Sequence, residues 1–102
     1  KGVKFIIKII NKMNIPKIRN VIGHSGKEVK NQFIIETKGI TIFQSYDSVI
    51  CMRKNGKMYL DEKYWDYSTT TGKYRNIFLG ETKQETEKKI KSNEYKLKNL
   101  NK

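Results

Sequence analysis

Gln32-Phe33-Ile34-Ile35-Glu36-Thr37-Lys38-Gly39-Ile40-Thr41-Ile42-Phe43-Gln44-Ser45-Tyr46 decides the fold. Two runs rich in β-branched and aromatic residues flank a Lys38-Gly39 turn. Alternation puts Phe33 and Ile35 on one face of the first run, and Ile40, Ile42 and Tyr46 on one face of the second, so the stretch reads as a β-hairpin. Downstream, Ser48 to Arg53 and Met58-Tyr59-Leu60 flank Lys54-Asn55-Gly56-Lys57. Its Asn-Gly pair is the strongest two-residue hairpin signal in the chain, because both positions tolerate positive φ. Upstream, Lys17 to Ile22 reads as a strand closed by the turn composition of Gly23-His24-Ser25-Gly26. Four to five short strands with tight turns make an antiparallel meander.

Helical signals follow. Asp66 or Ser68, with the threonines after them, can cap a helix from about Thr70 to Leu79, with Tyr74, Ile77 and Phe78 on its buried face and Gly80 at its end. Thr82-Lys83-Gln84-Glu85 is a capping-box pattern opening a second, largely polar helix through about Ser92, which Asn93 can stop. Tyr95-Lys96-Leu97-Lys98 alternates and can return as a short edge strand whose lysines discourage pairing between molecules. The expected class is α+β, with both C-terminal helices on one face of the sheet. Residues 1–12, which precede Met13, read as a peripheral N-terminal extension, and residues 13–102 as one small α+β domain.

Lys, Ile and Asn make up 42 of the 102 residues, Ala is absent, and Lys outnumbers Arg by 19 to 3. These residues have AT-rich codons, so base composition accounts for part of the net charge of +12. The balance is +7 over residues 1–30, +2 over 31–80 and +3 over 81–102. Whatever its origin, such a charge attracts polyanions.

One cysteine, Cys51, excludes an internal disulfide framework, and with a single histidine metal chemistry has little material. Cys51 sits in Val49-Ile50-Cys51-Met52 and reads as a small buried hydrophobe, fitting a reducing, cytoplasmic setting. The longest apolar run is far short of a membrane span of roughly 18 to 20 residues. Phe5-Ile6-Ile7 and Ile9-Ile10 are split by Lys8. No secretory cleavage pattern follows, and an added edge strand or a short docking helix suits this segment better than a membrane-surface helix.

Catalytic constellations are weak. Gly23-His24-Ser25-Gly26-Lys27 has two residues between its glycines where a P-loop needs four, and Glu28 follows the lysine where a Ser or Thr is required. His24, Ser68 and Asp66 do not form a hydrolase pattern. Asp61-Glu62 lies beside Lys63 at a strand end, where a solvated turn is the default. No enzyme, cofactor or metal is expected. The stronger candidate is the aromatic segment Tyr64-Trp65-Asp66-Tyr67, where Trp65 reads first as a core anchor. A binding surface drawn from it comprises Lys63, Tyr64, Trp65, Tyr67, Lys73 and Arg75, with the cations contacting phosphates and the rings stacking on bases.

Asn31-Gln32-Phe33-Ile34-Ile35, Phe43 to Ile50, Leu60-Asp61 with Tyr64 to Ser68, and Thr70-Thr71-Gly72-Lys73-Tyr74-Arg75 through Phe78-Leu79 resemble an uncharacterised family of small bacteriophage and prophage proteins. Glu85 to Ile90 and Tyr95-Lys96-Leu97 extend the likeness, which runs from about Met13 to Asn101. Cys51 departs from it, standing where a small residue such as Ala is expected. The resemblance implies a phage or mobile-element gene expressed in the host cytoplasm, in a class rich in accessory and counter-defence proteins, and it supplies no catalytic residues. The leading expectation is a non-enzymatic accessory protein binding nucleic acid or a nucleoprotein. The alternative is a protein-binding module that inhibits or modulates a host factor, as anti-CRISPR-type proteins do. No membrane partner is expected.

Overall fold

The computed structural model describes residues 15–102, so the expectation for residues 1–12 lies outside the described residues. Six strands form one sheet: β1 (Lys17–Ile22), β2 (Glu28–Thr37), β3 (Ile40–Ser45), β4 (Ser48–Lys54), β5 (Lys57–Asp61) and β6 (Tyr95–Lys98). They lie in the order β1-β2-β3-β4-β5-β6. Between β5 and β6 come helices α1 (Thr69–Leu79) and α2 (Lys83–Lys91). The architecture is α+β, as the meander and the helix caps predict.

The first five strands pair antiparallel in sequence order. Asn55 and Gly56 both have positive φ, 53° and 75°, the conformation that a two-residue hairpin turn matched to strand twist requires. β2 begins at Glu28, four residues before Gln32, where its sequence signal starts. Apart from Val29 those first residues are polar, and they are recruited by pairing with β1 around a register shift between Asn20 and Ile22. A second shift, between Phe43 and Gln44 of β3, leaves Ile50 unpaired between Val49 and Cys51 of β4. Ile50 and Cys51 are consequently both fully buried, although they are adjacent. That is the expected result of a bulge that locally suspends alternation.

β6 pairs parallel to β5, with Met58 opposite Tyr95 and Leu60 opposite Leu97. A parallel neighbour needs a crossover, and the two helices provide it on one face of the sheet. Val21, Phe43, Ile50, Cys51, Met58, Leu60 and Tyr95 form the buried core, and Ile34, Tyr64, Trp65, Tyr74, Ile77, Phe78, Leu79 and Ile90 pack against it. Phe43 and Phe78 stack with centroids 5.7 Å apart, joining α1 to the sheet. Burying a ring such as Phe43 contributes about 1.5–3 kcal/mol.

Both helices are capped as their sequences predict. Ser68 accepts the Thr71 N–H, and Gly80 ends α1 at φ 69°. Thr82 and Glu85 close a reciprocal capping box on α2, and Asn93 turns the chain with φ 64°. Beyond β6 the chain is tied back. The Asn101 side chain accepts from the Val49 N–H at 2.7 Å and donates to the Val49 carbonyl at 2.9 Å.

Candidate functional site

The corner between β5 and α1 is organised by Asp61, whose side chain is buried. Its Oδ2 accepts the backbone N–H groups of Lys63 at 3.0 Å and Tyr64 at 2.9 Å, and its Oδ1 accepts that of Leu100 at 2.8 Å. Burial pushes this carboxyl upward. The Leu100 and Tyr64 donors, the Asn101 side chain and the Lys63 donor outweigh that, and hold it below its ordinary value of 3.8. A carboxylate saturated in this way is a structural anchor, so Asp61 and its exposed neighbour Glu62 do not form an acid-base pair.

Trp65 donates its backbone N–H to the Asp61 carbonyl at 3.0 Å, and its own carbonyl accepts from Arg75 Nη1 at 2.6 Å. The same nitrogen reaches Asp66 Oδ1 at 3.1 Å, and Nη2 donates to Asn76 Oδ1 at 3.0 Å. The guanidinium lies 5.2 Å from the Trp65 ring centroid, and the side chain is 1% exposed. Arg75 was expected among the phosphate contacts. It is instead consumed inside the molecule, because a buried guanidinium fixes a tryptophan carbonyl, a carboxylate and an amide at once. Trp65 is half-buried between this guanidinium and the core, in the anchoring position its sequence suggests.

The remaining candidate residues reach the surface. Tyr67 is 49% exposed and meets Tyr64 edge to face at 5.3 Å. Lys63 lies 5.3 Å from the Tyr64 ring centroid and Lys73 5.5 Å from that of Tyr74. Tyr67, Thr69, Lys73 and Lys83 border an open cleft of about 590 Å³ at the N-terminus of α1. Lys63 and Tyr64 stand beside this cleft and do not line it.

Lys83 is the functional candidate that sequence reasoning missed. Its Nζ contacts Asp66 Oδ2 at 2.7 Å, placing the first residue of α2 beside the first turn of α1. Its pKa is raised, chiefly by the hydrogen bond to Asp66. Burial pushes Asp66 upward, but its bonds to Lys83 and Arg75 prevail and hold it below 3.8. The first turn of α1 carries no acidic residue of its own; Ser68 takes the Thr71 N–H and Asp66 lies in the same cleft, so the positive end of the helix dipole is countered there by one carboxylate. With two lysines, a buried arginine and one carboxylate, the cleft has a positive excess.

The other chemical candidates have ordinary surroundings. The Gly23–Gly26 turn closes on itself through a Gly26 N–H to Gly23 carbonyl bond of 2.9 Å. Cys51 is fully buried, and burial drives its thiol pKa far upward, away from nucleophilic reactivity. Among the described residues no three His, Cys, Asp or Glu side chains gather as a metal site, and no helix is long and apolar enough to cross a membrane.

The sequence profile of DUF8033, a family of unknown function, matches residues 16–94. The chain belongs to this family. The DUF8033 match runs from the residue before β1 to the residue before β6, and includes every residue of the corner from Asp61 to Lys83. No curated protein and no solved structure matches the chain.

Proposed function

We propose that this DUF8033 protein is a non-enzymatic phage or mobile-element accessory protein, acting in the host cytoplasm, that binds nucleic acid, alone or within a nucleoprotein. The observation that carries this reading is the convergence of Lys73, Lys83 and the exposed Tyr67 on the N-terminus of α1. Helix N-termini bind phosphate oxygens through free N–H groups, lysines add charge, and a half-exposed tyrosine offers a face for one base. A single strand fits this arrangement better than a duplex, because an unstacked base can meet a ring while the backbone follows the cations.

Lys63, beside the cleft, supplies a third cation, while Tyr64 supports the Tyr67 ring from its edge. Trp65 and Arg75 act through the shape of the corner and do not touch the ligand. Neutralising three phosphates of a single strand gives a slope of log affinity against log salt of about −2.

Fluorescence anisotropy with a labelled oligonucleotide tests the reading. Lys73→Gln should weaken binding and make the salt slope shallower, and Tyr67→Ala should cost about 1–3 kcal/mol. Lys38→Gln, in the β2–β3 turn, should change neither. An affinity independent of salt would remove the proposal. In a pull-down from host lysate, a protein retained after nuclease treatment without bound nucleic acid would replace it by the inhibitor reading.

A further inference from the structure

On the helix side of the sheet, β1 to β4 carry two neighbouring rows of residues. Arg19, Ile34, Phe43 and Cys51 form one, and Lys17, Glu36, Thr41 and Arg53, two residues along each strand, form the other. The last turn of α1 reaches the first row, where Phe78 stacks on Phe43. It leaves the second row outside, and no member of that row is buried. Where α1 stops short, a trough of about 370 Å³ opens. Val21, Ile34, Ile77 and Phe78 give it an apolar lining, and Arg19, Thr41 and Arg53 line it as well.

The charges around this trough are not equivalent. Glu36 is the one carboxylate of the second row, and Arg19 pairs with it, while Lys17 stands opposite it on β1. Arg75 is held inside the molecule by Asp66. Of the three arginines, Arg53 alone is left over: it is exposed, and among the described residues its guanidinium holds neither an ion pair nor a hydrogen bond. A guanidinium presents a planar fork that matches a carboxylate. Beside an apolar trough it suits a ligand that joins one such anion to a hydrocarbon body, because small-molecule sites combine apolar walls with a few placed polar groups.

We propose that this trough binds a small amphipathic carboxylate of the medium-chain fatty acid class, with its carboxylate on Arg53 and its chain against Ile34, Ile77 and Phe78. An inorganic anion would leave the apolar lining in water, and a neutral hydrocarbon would leave the guanidinium without a partner. The volume lies near the lower end of the range for small-molecule sites, about 300–1,000 Å³, which favours a short chain. The proposal is independent of the cleft at the N-terminus of α1.

Titration of the full chain with octanoate, followed by methyl NMR, tests it. The Val21, Ile34 and Ile77 methyl signals should shift together, while those of Ile35 and Ile42 on the other face of the sheet stay in place. Octan-1-ol, with the same chain and no charge, and acetate, with the charge and no chain, should each bind at least about tenfold more weakly. Arg53→Gln, at an exposed position, should weaken octanoate by a similar factor, and Lys88→Gln, which removes the same charge from α2, should leave it unchanged. Octanol binding as tightly as octanoate would overturn the proposal, as would an equal loss in the Lys88 variant. So would shifts confined to Ile35 and Ile42, or no shift at Ile34 and Ile77.

Discussion

Among the described residues Arg75 is the largest fully buried side chain. Its side chain is closed off from solvent, and three of its partners, the Trp65 carbonyl, Asp66 and Asn76, rely on it. Arg75→Met keeps much of the volume and strands the Trp65 carbonyl and the Asn76 amide oxygen, while Asp66 keeps Lys83, so urea denaturation should show a loss of about 2–4 kcal/mol. Among the described residues Arg75 Nε has no hydrogen-bond partner, so the network is already one bond short and tolerates little further loss. A second residue-scale effect depends on pH. The folded Asp61 carboxyl lies below its ordinary 3.8, so the unfolded chain takes up the proton more readily. Its stabilisation is therefore complete well above that unfolded value and lost as pH falls through the folded one. Asp66 and Glu81 act in the same sense. The urea midpoint should drop steeply on acidification through this range, and Asp61→Asn should give a lower but flatter profile. Little of this was legible in the sequence. An arginine in a basic chain reads as a surface cation, and only its opposite charge to Asp66 and the nearby tryptophan hinted otherwise. Lys83 was hidden for a different reason, since its meeting with Asp66 depends on how α1 turns into α2.

The elements were much easier to read, because their signals are local. Alternation marks β3, Asn55-Gly56 marks the β4–β5 turn, and hydroxyl caps mark both helices. These caps predict their own energetics. Ser68→Ala and Thr82→Ala should each cost about 0.5–2 kcal/mol by thermal denaturation. Ser68→Ala should also disturb oligonucleotide binding by loosening the first turn of α1, whereas Thr82→Ala should affect binding less. The bulge in β4 had a readable trace as well. Val49-Ile50-Cys51-Met52 is apolar without alternation, which is how a strand looks when an inserted residue turns two neighbours into the core. The early start of β2 had none, because Glu28 to Asn31 are recruited by β1 and lack an apolar pattern of their own.

For the whole molecule, charge and topology matter more than any single contact. A net charge of +12 on a 102-residue chain repels itself most strongly at low ionic strength. The melting temperature should therefore rise when salt is raised from a few millimolar to physiological strength, where the screening length falls to about 8 Å. A melting temperature that is flat or falling would show that its ion pairs outweigh the repulsion. The direction of β6 was not legible, because a four-residue strand with two lysines carries no mark of its partner. Its parallel pairing follows from the two-helix crossover. That order of elements also has a consequence during synthesis. The ribosome delivers β5 before either helix and β6 only after both. At about 5–20 residues per second, each nascent chain holds the outer edge of β5 open for roughly 2 to 7 s. Through that interval the hydrogen-bonding groups destined for β6 are free to take a strand from a neighbouring polysome product, so crowded translation is a circumstance in which this fold is exposed to mispairing.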